Sequence, residues 1–288
     1  MEPADRTVVT IIRLKFKQEG KYVARRSAEW YAAMQRFRKL PNWRYTSAGE
    51  GVDDAAEVPV FIGWTDNKPP PAFRTSAALV ADMADGTNAL SPLLPLLESD
   101  PEVLIFCCEG SRITPHAFST ARGFAGPDPL REFMVIRGPR DVLEPVVQSI
   151  SRALLDFRMI REGARADNSG DKYAFHLHFD GWIEDGYGSE EKDNGTTDGK
   201  KQQLRSFVLL PSWSSRQGRA EFQDPSVGEK TLPQHLKSLY GPDFWEKTVA
   251  LPLRKLEAEN GVVVTSWDYH NAGLAEDKKG LMKRRQDD

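Results

Sequence analysis

The sequence predicts an α+β fold made of two βαββαβ repeats, and three observations predict it. The stretch Val60–Ser76, VFIGWTDNKPPPAFRTS, has a counterpart in Phe207–Ser226. In each, an apolar run ends at a tryptophan (Trp64, Trp213), a small hydroxyl residue follows (Thr65, Ser214), and a phenylalanine stands nine positions after the tryptophan (Phe73, Phe222). The pair Ile12-Arg13 near the start of the chain recurs as Ile136-Arg137, and strand and helix signals follow in the same order in both halves. A strand closing on Trp, a short polar turn and a helix anchored by Phe form one supersecondary unit, and its repetition signals duplication.

In the first repeat, Thr7–Lys17 is rich in β-branched residues and alternates basic with apolar side chains from Arg13 onward, which predicts a strand. Tyr22–Leu40 places Val23, Trp30, Met34 and Phe37 on one helical face, and Pro41 ends it. Trp43–Ala48 and Val58–Trp64 read as strands joined by an acidic hairpin loop, Glu50–Glu57. A helix carrying Phe73, Leu79 and Met83 comes next, then an apolar turn, Leu90–Leu97, broken by Pro92 and Pro95, then a strand, Glu102–Cys108. Ser111–Pro129 mixes Gly, Pro, Ser and Thr without period, as a connection does.

The second repeat opens with a strand, Leu130–Arg137, and a long helix from Asp141, a candidate cap, to about Ile160. Tyr173–Trp182 and Leu204–Trp213 are strands flanking the polar, Gly-rich stretch Gly186–Gln203, expected to be mobile. A helix over Arg216–Asp224, a longer one over Pro242–Asn260 and a strand over Gly261–His270 complete it. The expected organisation is a first repeat over 1–110, a linker over 111–129, a second repeat over 130–272 and a solvated charged tail over 273–288.

Composition narrows the function. The 39 basic and 42 acidic residues nearly balance, so nothing calls for nucleic acid or an anionic membrane as partner. No apolar run approaches the ~20 residues of a membrane helix, and the N-terminus lacks a secretory pattern, so a cytoplasmic protein is expected. Cys107 and Cys108 are adjacent, alternate across a strand, and match no zinc pattern; two buried, reduced thiols are expected. The sequence contains no G-x-S-x-G, P-loop, G-x-G-x-x-G or HExxH, which argues against an NAD, flavin or ATP enzyme.

Two βαββαβ units, each with a strand-ending Trp, a Phe nine residues on and a small residue shortly after (Ser76, Ser226), resemble tandem dimeric α+β barrel domains. That superfamily includes antibiotic-biosynthesis monooxygenases and stress-responsive A/B barrel proteins. The resemblance implies two ferredoxin-like antiparallel sheets closing an intramolecular α+β barrel, with a ligand between sheet and helices or inside the barrel. It implies a hydrophobic small-molecule substrate of polyketide or aromatic type, and no further chain is needed, so monomer and homodimer both remain open.

The candidate chemistry lies on the strand Tyr173–Trp182. Phe175, Leu177 and Phe179 share one face, and His176, His178, Asp180 and Trp182 the other. A histidine titrates near neutral pH, so His176 or His178 can take a proton from an acidic C–H or phenol and return it, with Asp180 fixing the tautomer. Arg13 or Arg137 would stabilise an enolate or phenolate, and Trp64, Trp182, Trp213, Trp267 and Tyr269 would hold the ring. Cyclisation, decarboxylation, dehydration and cofactor-free oxygenation all pass through such an anion. Three other readings stand beside this one. The histidines could be a hydrogen-bonded polar wall of a non-catalytic, stress-responsive ligand-binding barrel. They could hold a metal with a third ligand from His116, His235, His270 or Asp268, or one could be axial to a haem. On the last strand, Asp268 and His270 share one face and Trp267 and Tyr269 the other, and either pair could border a pocket.

Overall fold

The computed structural model describes residues 6–17, 27–65, 68–109, 130–164, 175–183, 204–213, 216–224, 243–271 and 276–277. The first repeat runs β1 (Arg6–Lys15), α1 (Ala28–Phe37), β2 (Trp43–Gly51), β3 (Glu57–Trp64), α2 (Ser76–Ala84) and β4 (Glu102–Glu109). Strand β1 is central: it pairs antiparallel with β3 (Ile12↔Val60) and with β4 (Ile12↔Val103), while β2 pairs with the far side of β3. Helix α1 starts where Ser27 accepts a hydrogen bond from the Trp30 amide at 3.1 Å, and Thr75 caps α2 in the same way through Ala78 at 3.0 Å. One face of the sheet (Ile12, Leu14, Val60, Ile62, Trp64) packs on Trp30, Phe37, Phe73 and Leu79 as a single core. Each such side chain contributes roughly 1.5–3 kcal/mol through burial.

The second repeat runs β5 (Leu130–Pro139), α3 (Arg140–Ala164), β6 (Phe175–Ile183), β7 (Leu204–Trp213), α4 (Arg216–Gln223), α5 (Leu251–Asn260) and β8 (Val263–Asn271). The order βαββαβ is therefore realised twice. Asp141 is not the cap the sequence suggested: α3 already begins at Arg140, and Asp141 sits inside its first turn, where a carboxylate still favours the helix dipole. The helix expected from Pro242 contains a π turn at Glu246–Ala250 before α5 begins. The expected strand at Gly261 starts two residues later, because Gly261 closes α5 in the left-handed region at φ 62°. The duplicated Trp-to-Phe spacing gives the same ring contact in both repeats, although Phe73 lies in a 3-10 turn, Pro71–Phe73, ahead of α2 and not on the helix as expected, whereas Phe222 lies in α4. Trp64 and Phe73 have ring centroids 5.5 Å apart at 54°, and Trp213 and Phe222 are 5.5 Å apart at 58°.

The hydrogen-bonded strand order is β3-β1-β4-β6-β7-β5-β8-β2-β9, where β9 is Glu276–Asp277, and β2 also pairs with β3. The chain divides into two compact units, 1–123 with 181–193 and 269–288, and 124–180 with 194–268. The C-terminal ends of β6 and β8 thus belong to the first unit. Trp182 and Ile183 pair with Cys107 and Phe106 of β4, and Tyr269–Asn271 pair with Gly49–Gly51 of β2. The expected solvated tail departs from that reading at its start. Thr46↔Glu276 and Tyr45↔Asp277 are ladder pairs, because the backbone groups of β2 on that side require partners. The linker 111–129, the stretch Gly186–Gln203, Val23, His116 and His235 lie outside the described residues. Cys107 is buried and forms no disulfide among the described residues. Among the described residues, no helix is long and apolar enough to cross a membrane.

Candidate functional site

The two repeats differ at one buried position next to the shared tryptophan. On β1, Val9 opposes Gly63, so Trp64 falls opposite Val8, and the next residue on that face of β1 is Thr10. The Trp64 indole Nε1–H donates to Thr10 Oγ1 at 2.9 Å, and both side chains are fully buried. On β5, Leu130 opposes Trp213, and the next residue on that face is Glu132. Glu132 is therefore the structural counterpart of Thr10. Six positions after Trp64 the first repeat has Pro70, and six after Trp213 the second has Arg219.

Glu132 belongs to a cluster assembled from four elements of the second unit. Arg219 on α4 places Nη1 2.5 Å from Asp268 Oδ1 on β8 and 3.8 Å from Glu132 Oε2 on β5. Trp213 on β7 is fully buried, against Phe222 at 5.5 Å and edge-on to Trp245 at 5.0 Å. Two carboxylates thus share one guanidinium beside an aromatic wall. The side chains keep 12% (Glu132), 13% (Asp268) and 25% (Arg219) of their surface open, so Arg219 is the most accessible member.

This charge count sets the protonation state. Burial pushes the Glu132 carboxyl up to about 7; the Arg219 guanidinium and the Trp213 indole N–H pull it down, and the Asp268 charge adds to the rise. A carboxyl that titrates near neutral pH can act as both base and acid, which an ordinary exposed glutamate cannot do efficiently.

The residues singled out from sequence fall in both units. His176 and His178 lie on β6 as expected, alternating with Phe175, Leu177 and Phe179, and their side chains are outside the described set. Asp180 is half-buried near the end of that strand, and Trp182 sits opposite Cys107. Arg13 is ion-paired with Glu102 at 2.8 Å and Glu57 at 3.3 Å. Arg137 opposes Ser206 on the β5–β7 ladder. Trp267 stacks on Phe133 at 4.2 Å, on the face of β5 opposite Glu132. Tyr269 is buried, packs on Phe61 at 5.2 Å, and closes over Gly49, where a Cβ would lie 2.4 Å from its ring. Trp64 is sealed in the core of the first repeat, and of the residues singled out from sequence Trp213 and Asp268 join the charged cluster.

Glu132 and Arg219 were not singled out from the sequence. The signal was present: in LREFMVIR, Glu132 shares a face with Leu130, Met134 and Ile136, and an acid among apolar neighbours on a core-facing strand marks a site. Among the described residues, no group of three or more His, Cys, Asp or Glu side chains is arranged to hold a metal ion.

Two ferredoxin-like βαββαβ repeats in one chain make an α+β fold of the tandem ferredoxin-like kind. No family model matches the sequence, and no curated protein matches it. Among solved structures, an anthrone oxidase-like protein superposes with a TM-score of 0.50 at 12% identity, covering 96% of this chain and 95% of that one. A candidate monooxygenase from Fusobacterium nucleatum subsp. nucleatum gives 0.47 at 8% identity over 96% of each chain. A further candidate monooxygenase, from Lactobacillus acidophilus NCFM, gives 0.42 at 8% identity over 95% of this chain and 99% of that one. The likeness to the first of these is one of fold.

Proposed function

We propose that this protein is an enzyme that moves a proton to and from a hydrophobic aromatic or polyketide-type molecule, without a nucleotide cofactor, and that Glu132 is its base. One observation carries the reading. At the place where the first repeat has Thr10 bonded to Trp64, the second has a buried carboxyl beside Trp213 with a guanidinium in reach. A fold that needed only a partner for the indole N–H is served by the threonine; the carboxyl, costly to bury, adds a proton acceptor.

In this reading Glu132 takes a proton from an activated methylene or a phenol. Arg219, the most open member of the cluster, then meets the oxygen on which negative charge develops. Trp213, packed on Phe222 and Trp245, makes the surroundings of the charged cluster apolar. The anthrone oxidase-like protein of similar fold suggests the fate of the anion. A diaryl methylene loses its proton to the carboxylate, the carbanion reacts with dioxygen, and the methylene carbon becomes a carbonyl with release of water.

Anthrone itself is the probe. The wild-type chain is expected to consume dioxygen in its presence, and Glu132→Gln to lower that rate by roughly 10²- to 10⁴-fold. Full turnover by Glu132→Gln would overturn the assignment of the base, and an inert wild-type chain would remove anthrone-type substrates. His176→Ala and His178→Ala belong in the same assay. A loss in either would make β6 the source of the second proton carrier, with Asp180 orienting it.

A further inference from the structure

The unequal distances in the charged cluster carry an inference about Asp268, and it rests on the reading of Glu132 as the base. Arg219 has two carboxylates within reach from α4. It lies at 2.5 Å from Asp268 and at 3.8 Å from Glu132, and the second distance is beyond a hydrogen bond. Had the guanidinium closed on Glu132 instead, the carboxylate would be held ionised, and a carboxylate beside an arginine is a poor proton acceptor at neutral pH.

We propose that Asp268 is a positioning residue: by anchoring Arg219 on β8 it keeps the guanidinium from closing a direct ion pair with Glu132, and so keeps Glu132 able to take and return a proton. Arg219 remains near enough to meet an anionic oxygen on the substrate. Among the described residues, the charged groups that act on Glu132 are Arg219 from α4 and Asp268 from β8; β7 contributes the uncharged indole of Trp213. The aromatic residues Phe222 and Trp245, packed on Trp213, add no charge. Asp268 therefore acts on Glu132 along two routes, by its own charge and by its hold on Arg219. The proposal is that the second dominates.

A double-mutant cycle separates the routes. The full chain is labelled with 13C at the glutamate side-chain carboxyl, the Glu132 signal is assigned by its loss in Glu132→Gln, and its titration is followed by NMR. Wild type is expected to titrate near neutral pH. In Asp268→Asn the freed Arg219 should pair with Glu132 and lower the midpoint by roughly one to three units. In the Arg219→Met background, Asp268→Asn should lower it far less. An unchanged midpoint in Asp268→Asn overturns the proposal, and so does an equal fall in both backgrounds, which would mean that Asp268 acts by its own charge. Should Asp268→Asn fail to fold, Arg219→Met decides alone. A midpoint that rises by less than half a unit fits a guanidinium already held away, and a larger rise overturns the proposal, because Arg219 was then holding Glu132 ionised. Because the readout is a titration, it stands apart from the anthrone assay. A midpoint that shifts as expected, with full turnover by Glu132→Gln, would keep the role of Asp268 and remove the catalytic one.

Discussion

The first repeat places Thr10 beneath Trp64, and the second places Glu132 beneath Trp213, in the same register and with the same ring contact to a phenylalanine. The neutral pair is closed: a hydroxyl and an indole satisfy one another in an apolar core. The charged pair is open-ended, because a buried carboxyl needs compensation that one indole N–H does not supply, and Arg219 and Asp268 come with it. Duplication kept the packing and let one position diverge. Where two repeats agree, the residues report the fold, and where they differ at a buried site, they report what one repeat does in addition.

Exchanging the two residues tests this most severely. Thr10→Glu puts a carboxyl where the first repeat has Pro70 in place of a guanidinium, and should destabilise the protein by about 3 to 5 kcal/mol at pH 8 in urea unfolding. A fully stable variant would mean that the first core can host a carboxyl without Arg219 and Asp268. The reverse relief comes next. The Glu132 carboxyl is raised from 4.5 to about 7, so the folded state binds more protons than the unfolded state between those values, and stability falls as pH rises through them. Glu132→Gln should therefore be more stable than wild type by about 3 kcal/mol at pH 8, with the gap closing by about pH 4. An equal gap at both pH values would show that the gain comes from packing and not from a proton.

Two smaller effects sharpen the contrast. Thr10→Val leaves the Trp64 N–H facing a methyl group and should cost about 1 to 3 kcal/mol, independent of pH from 5 to 8. Arg13→Met breaks ion pairs with Glu57 and Glu102 that are about one-third or more open to solvent, and should cost about 1 kcal/mol or less, vanishing in high salt. A larger cost would mark Arg13 as part of a site and not of a solvated face.

The parts of this molecule written in local pattern were legible beforehand. Alternation gave β1, β-compatible composition gave β3, the repeated Ile-Arg pair gave β5, the 3.6-residue period gave α1, and the Trp-to-Phe spacing gave the duplication. What sequence could not supply was long-range partnership. Glu132 stands out locally only as an acid on an apolar face, and its importance depends on Arg219 and Asp268, brought from two distant elements. The histidines of β6 drew attention because two imidazoles on one strand form a local pattern, whereas a carboxyl with one shared counterion has none. The pairing of Glu276 and Asp277 with β2 was missed for the same reason: a charged tail looks solvated until the open edge it meets is known.

The ends of β6 and β8 also govern the order in which the molecule can be made. Strand β2 finds its outer partners only at Tyr269–Asn271 and Glu276–Asp277, more than two hundred residues further along the chain. During synthesis the first repeat emerges well before these partners, and its ladder stays incomplete while the second repeat is made. A ribosome therefore holds a half-finished sheet with an open edge over that interval, and sheet edges in that state invite pairing with other nascent chains. The repeat without the Glu132 cluster gains its outer partners only after every residue of that cluster has been made.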